Sequence, residues 1–240
     1  MVRYDYKDLE DKTKIKDDCT EFDCYRCNLN VLPELPNSLT ILQCSCNNLT
    51  LLPELPNSLI KLFCSNNNLT ELPELPISLI TLYCSNNNLI ELPELPISLI
   101  RLYCSDNNLI ELPKLPKSLI QLLCNNNNLT ELPELPILLK RLSCGNNKLI
   151  ELRCSNNNLT ELPELPDSLV SLNCSNNNLI ELPKLPMTLK ELMCENNNIK
   201  YLSPNNCEVM KNGCELSVLN NPFSADFSDN DDFKEYLMNF

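Results

Sequence analysis

Apolar and polar positions repeat along this chain with a period of twenty. From Leu39 to Ser58, leucine or cysteine stands at repeat positions 1, 4, 6, 11, 14 and 17, asparagine at 9, proline at 15 and 18, and serine at 20. The same frame, LxxLxCxxNxLxxLPxLPxS, runs down the chain, and a fixed period of this length marks a solenoid. Within each copy, alternation such as Leu62-Phe63-Cys64 sends leucine and cysteine inward and the residue between them outward, which predicts a short parallel strand. The other leucines fill the same core from the remaining walls. One rung cannot bury enough surface to offset the ordering of twenty residues, so stability must come from stacking neighbours.

Position 6 holds cysteine in ten copies, from Cys24 and Cys44 to Cys174 and Cys194, and Val218 ends the series. The first copy is degenerate, with Cys19, Phe22, Cys24, Cys27 and Leu29 on the frame. Asparagine at position 9 (Asn47, Asn67 and onward) follows the strand, where a stacked column of amides can satisfy turning backbone. The two prolines of LPxLP forbid helix and favour a polyproline II return on the convex side. Ten rungs then give a gently curved rod roughly 45–50 Å long.

Such a frame resembles the leucine-rich repeats, whose LxxLxLxxNxL consensus it matches from Cys19 to about Phe223. The LPxLP return is similar to the short repeats of bacterial type III effectors, and cysteine for the inner leucine is similar to the cysteine ladder of an internalin subgroup. The LPxSLxxL phrase resembles repeats in proteins of giant amoeba viruses and social amoebae. The resemblance implies a repeat solenoid with a parallel sheet on the concave face, an extended convex face and little helix outside the caps.

The register breaks once, because Cys144 and Cys154 are ten residues apart. A ten-residue deletion fused at Leu152 explains this, and one of the two strands, Leu142–Cys144 or Leu152–Cys154, is expected to leave the sheet or form a compressed rung. Gly145 and Leu138, which replaces the usual serine, mark the first of the two copies as the deviant. The chain therefore divides into an N-terminal cap (1–18), a repeat array (19–223, irregular at 139–158) and an acidic C-terminal cap (224–240). Tyr6, Leu9 and Ile15 suit a short helix in the first cap. Phe233, Tyr236, Leu237 and Phe240 fall at i, i+3, i+4 and i+7 behind a capping-type start, which predicts an amphipathic helix in the second. A partner-binding role for that helix would require Phe233 and Tyr236 to be exposed.

Composition then removes whole classes of chemistry. The 240 residues contain no His, which excludes imidazole bases and His-ligated zinc. A net charge of −13 disfavours nucleic acid and anionic lipid. The first eighteen residues are charged without an apolar core, and no apolar run is long enough to cross a membrane. The expected setting is a reducing cytoplasm, where the 15 Cys behave as small hydrophobes, Cys46, Cys207 and Cys214 being the most reactive. Stacked thiols are too far apart for unstrained bridging, and Cys24-Tyr-Arg-Cys27 has no second CxxC to complete a metal site. The glutamate columns at positions 13 and 16 are equivalent and repeated, which suits a solvated face rather than a catalytic pair. No cofactor and no metal is expected.

Outward strand positions carry the information that the frame leaves open. Position 5 reads Phe63, Tyr83, Tyr103 and Leu123 on four successive rungs, and position 3 beside them supplies Lys61, Arg101 and Arg141. Tyr and Arg are frequent interface anchors. The expected function is a non-enzymatic, monomeric scaffold that binds a protein of acidic or apolar surface, consistent with an effector-like or viral origin. The alternative is a repeat protein with a display role and no dedicated partner. A third reading, an enzyme, draws on the resemblance, since some LPxLP effectors carry a C-terminal ubiquitin-ligase domain; only 17 residues follow Phe223, so that domain is not expected here.

Overall fold

The computed structural model describes residues 3–6 and 15–238. Its strands are all three residues long: β1 Arg3–Asp5, β2 Glu21–Asp23, β3 Ile41–Gln43, β4 Lys61–Phe63, β5 Thr81–Tyr83, β6 Arg101–Tyr103, β7 Gln121–Leu123, β8 Arg141–Ser143, β9 Glu151–Arg153, β10 Ser171–Asn173, β11 Glu191–Met193 and β12 Glu215–Ser217. They form two parallel sheets, β1 to β8 in chain order and β9 to β12 in chain order. Pairing is in strict register, Leu62 beside Leu82 and Phe63 beside Tyr83, so equivalent repeat positions form columns. From β3 onward the central leucine of each strand points into the core with the cysteine that follows the strand, replaced by Val218 after β12, and the flanking residues other than Thr81 face out.

The stack is held by two polar columns as well as by leucine. Asn67 donates from Nδ2 to the carbonyls of Cys44 and Cys64, both at 3.1 Å, and Asn87 Oδ1 accepts from the Leu69 N–H at 3.0 Å. This pattern recurs from Asn47 to Asn147 and again from Asn177 to Asn221. Serine at position 20 forms a second column, with Ser58 Oγ donating to the carbonyls of Asn37 and Leu39 in the rung before. Position 8 turns the chain through left-handed backbone, with φ of 57° at Asn66 and 56° at Asn86. Asparagine tolerates that region better than other side chains, which explains a solenoid turned almost without glycine.

At the ten-residue interval one of the two strands does leave the first sheet, but it is the second copy rather than the first, and it leaves as the start of a second sheet rather than as a single displaced rung. Both β8 and β9 form, and the sheet divides between them. Seventeen residues join β7 to β8, but only seven, 144–150, join β8 to β9. Lys148 N–H still donates to the Leu129 carbonyl at 2.8 Å, as in an ordinary exit. Yet Ser168 Oγ donates to the Leu149 carbonyl, and the N–H groups of Val170 and Ser171 donate to Ile150, as the start of a new rung requires. Leu149 thus closes one rung and opens the next. A Cβ on Gly145, just past β8, would lie 3.3 Å from the Glu164 carbonyl oxygen, so a return of the second array lies against the end of the first sheet. Ten residues are half a circuit, and the second sheet therefore takes the side on which the first array runs its returns. No strand is expelled from the stack, because strand and return exchange sides and the stacking continues.

The ends are closed by different means. At the front, Arg3–Asp5 is a strand paired with β2, not a helix, and Tyr6 packs edge-on against Phe22 at 6.5 Å. Ile15 is buried, while Leu9 lies outside the described residues. At the back, helix α1, Pro204–Lys211, is inserted into the last return, with Ser203 as N-cap and proline in the first turn. Helix α2, Asn230–Met238, buries Phe233 and Leu237 and leaves Tyr236 exposed. Phe233 sits edge-on between Phe223 and Phe227, so it serves packing; Phe240 lies outside the described residues. Asn230 Oδ1 accepts from the Val218 N–H at 2.9 Å, tying α2 to the last rung.

Candidate protein-binding surface

Strands β4 to β8 present the outward residues singled out by the sequence. Phe63 meets Tyr83 edge-on with centroids 5.0 Å apart, and Tyr83 stacks on Tyr103 at 4.1 Å with planes 5° apart. The strict register produces this, because residues at one repeat position on adjacent parallel strands stand side by side. Tyr103 donates its hydroxyl to Gln121 Oε1 at 2.6 Å, and Leu123 continues the column. Burial raises the Tyr83 phenol above its ordinary value, helped by the hydrogen bond and proximity of Tyr103 and opposed by Arg101, so Tyr83 is neutral at physiological pH.

Position 3 alternates in character across the same strands. Lys61, Arg101 and Arg141 are exposed, Thr81 between the first two is buried, and Gln121 is engaged by Tyr103. Among the described residues none of the three cations makes an ion pair. Asp106, at a strand exit, has its carboxylate accepting from Asn126 Nδ2 at 2.7 Å. The structure thus brings all seven sequence-singled residues onto one sheet face as an aromatic ridge flanked by unpaired cations.

The exchange of sides separates what looked like one column. Arg153, Asn173 and Met193 continue position 5 in the sequence but belong to the second sheet. That sheet carries Glu151, Glu191 and Glu215 at position 3. Arg153 is paired with Glu151, Ser171 Oγ holds Glu191 at 2.6 Å, and Ser217 Oγ holds Glu195 at 2.7 Å. The returns hold a feature that sequence reading passed over, an open groove of about 650 Å³ between Leu95, Ile97, Leu115 and Pro116, edged by Lys114 and Lys117. Lys114 replaces the glutamate usual at position 16, and that departure was the available signal.

All fifteen cysteines are thiols. Burial pushes Cys24, Cys144 and Cys194 up to about 12 and the inner ladder thiols further, which makes the ladder inert packing. Cys214, expected to react, is buried and raised to about 11, whereas Cys27 is half-buried like Cys46 and Cys207. Among the described residues no group of three or more His, Cys, Asp or Glu is placed to hold a metal ion, and no helix is long and apolar enough to cross a membrane.

No protein-family model and no curated protein sequence matches the chain. Among solved structures, the leucine-rich repeat domain of a Shigella effector is 36% identical, with 67% of this chain and 70% of that one covered and a TM-score of 0.51. This chain belongs to the leucine-rich repeat family. YopM from Yersinia enterocolitica is 31% identical to this leucine-rich repeat protein over 87% of its length, with a TM-score of 0.50, and the match spans 57% of YopM. The functional domain of InlJ from Listeria monocytogenes, which includes a cysteine ladder, is 30% identical over 78% of this chain and 47% of its own, with a TM-score of 0.44.

Proposed function

We propose that this leucine-rich repeat protein is a non-enzymatic scaffold that binds another protein on the first sheet, through Phe63, Tyr83, Tyr103 and Leu123 with Lys61, Arg101 and Arg141 at their side. One observation carries the reading: a stacked aromatic ridge and three unpaired cations share one face of a chain of net charge −13. Aromatic and Arg side chains supply contact area and directional charge at interfaces, and unpaired cations attract acidic surfaces. The partner is therefore a protein with an acidic or apolar surface, and fifteen thiols suit a reducing compartment such as the cytoplasm.

Replacing Tyr83 and Tyr103 together by Ala tests the assignment, with Met193→Ala on the second sheet as the control. Captured partner should disappear with the double variant and persist with Met193→Ala, while the thermal midpoint stays nearly unchanged because all three side chains lie on outer faces. Undiminished capture by the double variant sinks the site. The rival role, display without a dedicated partner, is favoured if neither variant changes what is captured.

A further inference from the structure

The spacing of the cations specifies the shape of what they meet. We propose that the first sheet binds an acidic polyproline II segment that lies along the solenoid axis, across the strands, and carries a carboxylate at every third residue. This deepens the scaffold reading above and rests on it.

Lys61, Arg101 and Arg141 occupy β4, β6 and β8, with Thr81 and Gln121 on the strands between. Strands are about 4.8 Å apart, so the cations recur at about 9.6 Å. The ring-to-ring steps of 5.0 and 4.1 Å beside them agree with that spacing. A polyproline II helix rises about 3.1 Å per residue and presents the same face every third, a repeat of about 9.3 Å. Over the two intervals from Lys61 to Arg141 the mismatch is about 0.6 Å. A β-strand returns to one face about every 6.7 Å and misses the middle cation by about 3 Å. An α-helix brings a residue back after seven, about 10.5 Å, and drifts by nearly 2 Å over the same span.

The surface chemistry favours the same segment. Tyr83 and Tyr103 are in stacking contact, which leaves no slot for an inserted side chain, so the partner must lie over the ridge. The strand amides are committed to neighbouring strands, so a crossing chain gains no backbone ladder from this face. Polyproline II needs none, since its backbone stays solvated, and proline rings pack on aromatic surfaces at small entropic cost. Positions 3 and 5 of β4 to β8 hold no carboxylate that would repel an acidic ligand.

The test uses the full chain and two labelled peptides of equal composition, Glu-Pro-Pro-Glu-Pro-Pro-Glu and Glu-Pro-Glu-Pro-Pro-Pro-Glu, followed by fluorescence anisotropy. The first should bind saturably, weaken as salt rises, and lose about tenfold in affinity with Arg101→Glu or, separately, Arg141→Glu. The second, with its middle acid out of phase, should bind at least about fivefold more weakly. Equal binding of the two overturns the spacing argument, and absence of saturable binding by the first overturns the proposal. Circular dichroism confirms that each variant is folded. If Tyr83→Ala with Tyr103→Ala abolishes partner capture while the first peptide fails to bind, the polyproline inference falls and the scaffold stands. If capture survives that double variant, both fall.

Discussion

The two arrays are written in one twenty-residue frame and end with opposite faces. Strands β4 to β8 show stacked aromatics and unpaired cations, whereas β9 and β11 show glutamates, Glu151 and Glu191, already held by arginine and serine. Their inward residues are interchangeable, leucine and cysteine in both, so the difference costs the fold nothing. What a repeat does is decided at positions the core does not use. The half-turn between the arrays adds that two faces of unlike charge look out on opposite sides of one rod.

The largest way to separate the arrays is alkali. A ladder thiol buried neutral keeps its proton to higher pH than the same thiol in the unfolded chain, where it titrates near 8.5. Above that value the unfolded chain loses protons that the folded chain retains, so stability falls as pH rises, by about 1.4 kcal/mol per thiol per pH unit. The first array holds seven ladder thiols, Cys24 to Cys144, and the second three, Cys154 to Cys194, which gives roughly 10 against 4 kcal/mol per unit. Under reducing conditions, hydrogen exchange at pH 10 should show β2 to β8 opening before β9 to β12, and the urea midpoint should fall steeply from pH 8. A midpoint flat across that range would mean the ladder is not buried neutral.

A middle-sized effect contrasts an interior rung with the boundary. Asn87 bonds the carbonyls of Cys64 and Cys84 and the Leu69 N–H; Asn67 and Asn107 still serve the two carbonyls in Asn87→Ala, but the buried Leu69 N–H loses its partner, so the variant should cost about 2–3 kcal/mol. Asn157, the first position-9 asparagine of the second array, donates only within its own rung, to Cys154 and Ser155, and its buried Oδ1 has no partner. Asn157→Ala should cost about 1 kcal/mol in the same denaturation experiment. Equal losses would show that the polar column is continuous across the change of side.

The smallest effect tests the contact that closes the first sheet. Serine stands at position 7 in six other rungs, among them Ser85 and Ser105, so Gly145→Ser looks harmless in the sequence. With the Glu164 carbonyl 3.3 Å from a Cβ there, it should instead lower stability by about 1 kcal/mol, read as a shift in thermal midpoint. A gain, as expected from replacing a flexible glycine in open space, would place the second array's return elsewhere.

Much of this was legible residue by residue. Alternation at Leu62-Phe63-Cys64 specified the strand, and recurrence specified the columns of Asn47, Cys44 and Phe63 with their stacking order. Position 20 was less plain: serine reads as a turn residue, and only the fold reveals Ser58 bridging two carbonyls of the rung before. The strand at Arg3–Asp5 was hidden because it pairs through β2 without carrying the frame. Helix α1 had a usable signal in Ser203-Pro204, an N-cap followed by proline, which the longer spacing of that repeat obscured.

By itself the sequence determined the solenoid, its period and the residues on its outer faces, because side-chain direction in a strand follows from parity and a fixed period brings equal positions together. It left open how Leu149-Ile150-Glu151-Leu152 would be used, since those residues fit both a return and a strand entry. Tertiary structure decided for the strand. Arg153 stands where a return has proline, so its N–H is free of the proline ring and Glu151–Arg153 can pair with β10. Stacking at a constant circuit of twenty then required the two halves of the turn to exchange sides. The side taken by the second sheet rests on long-range contacts such as Gly145 with Glu164, which no local pattern contains.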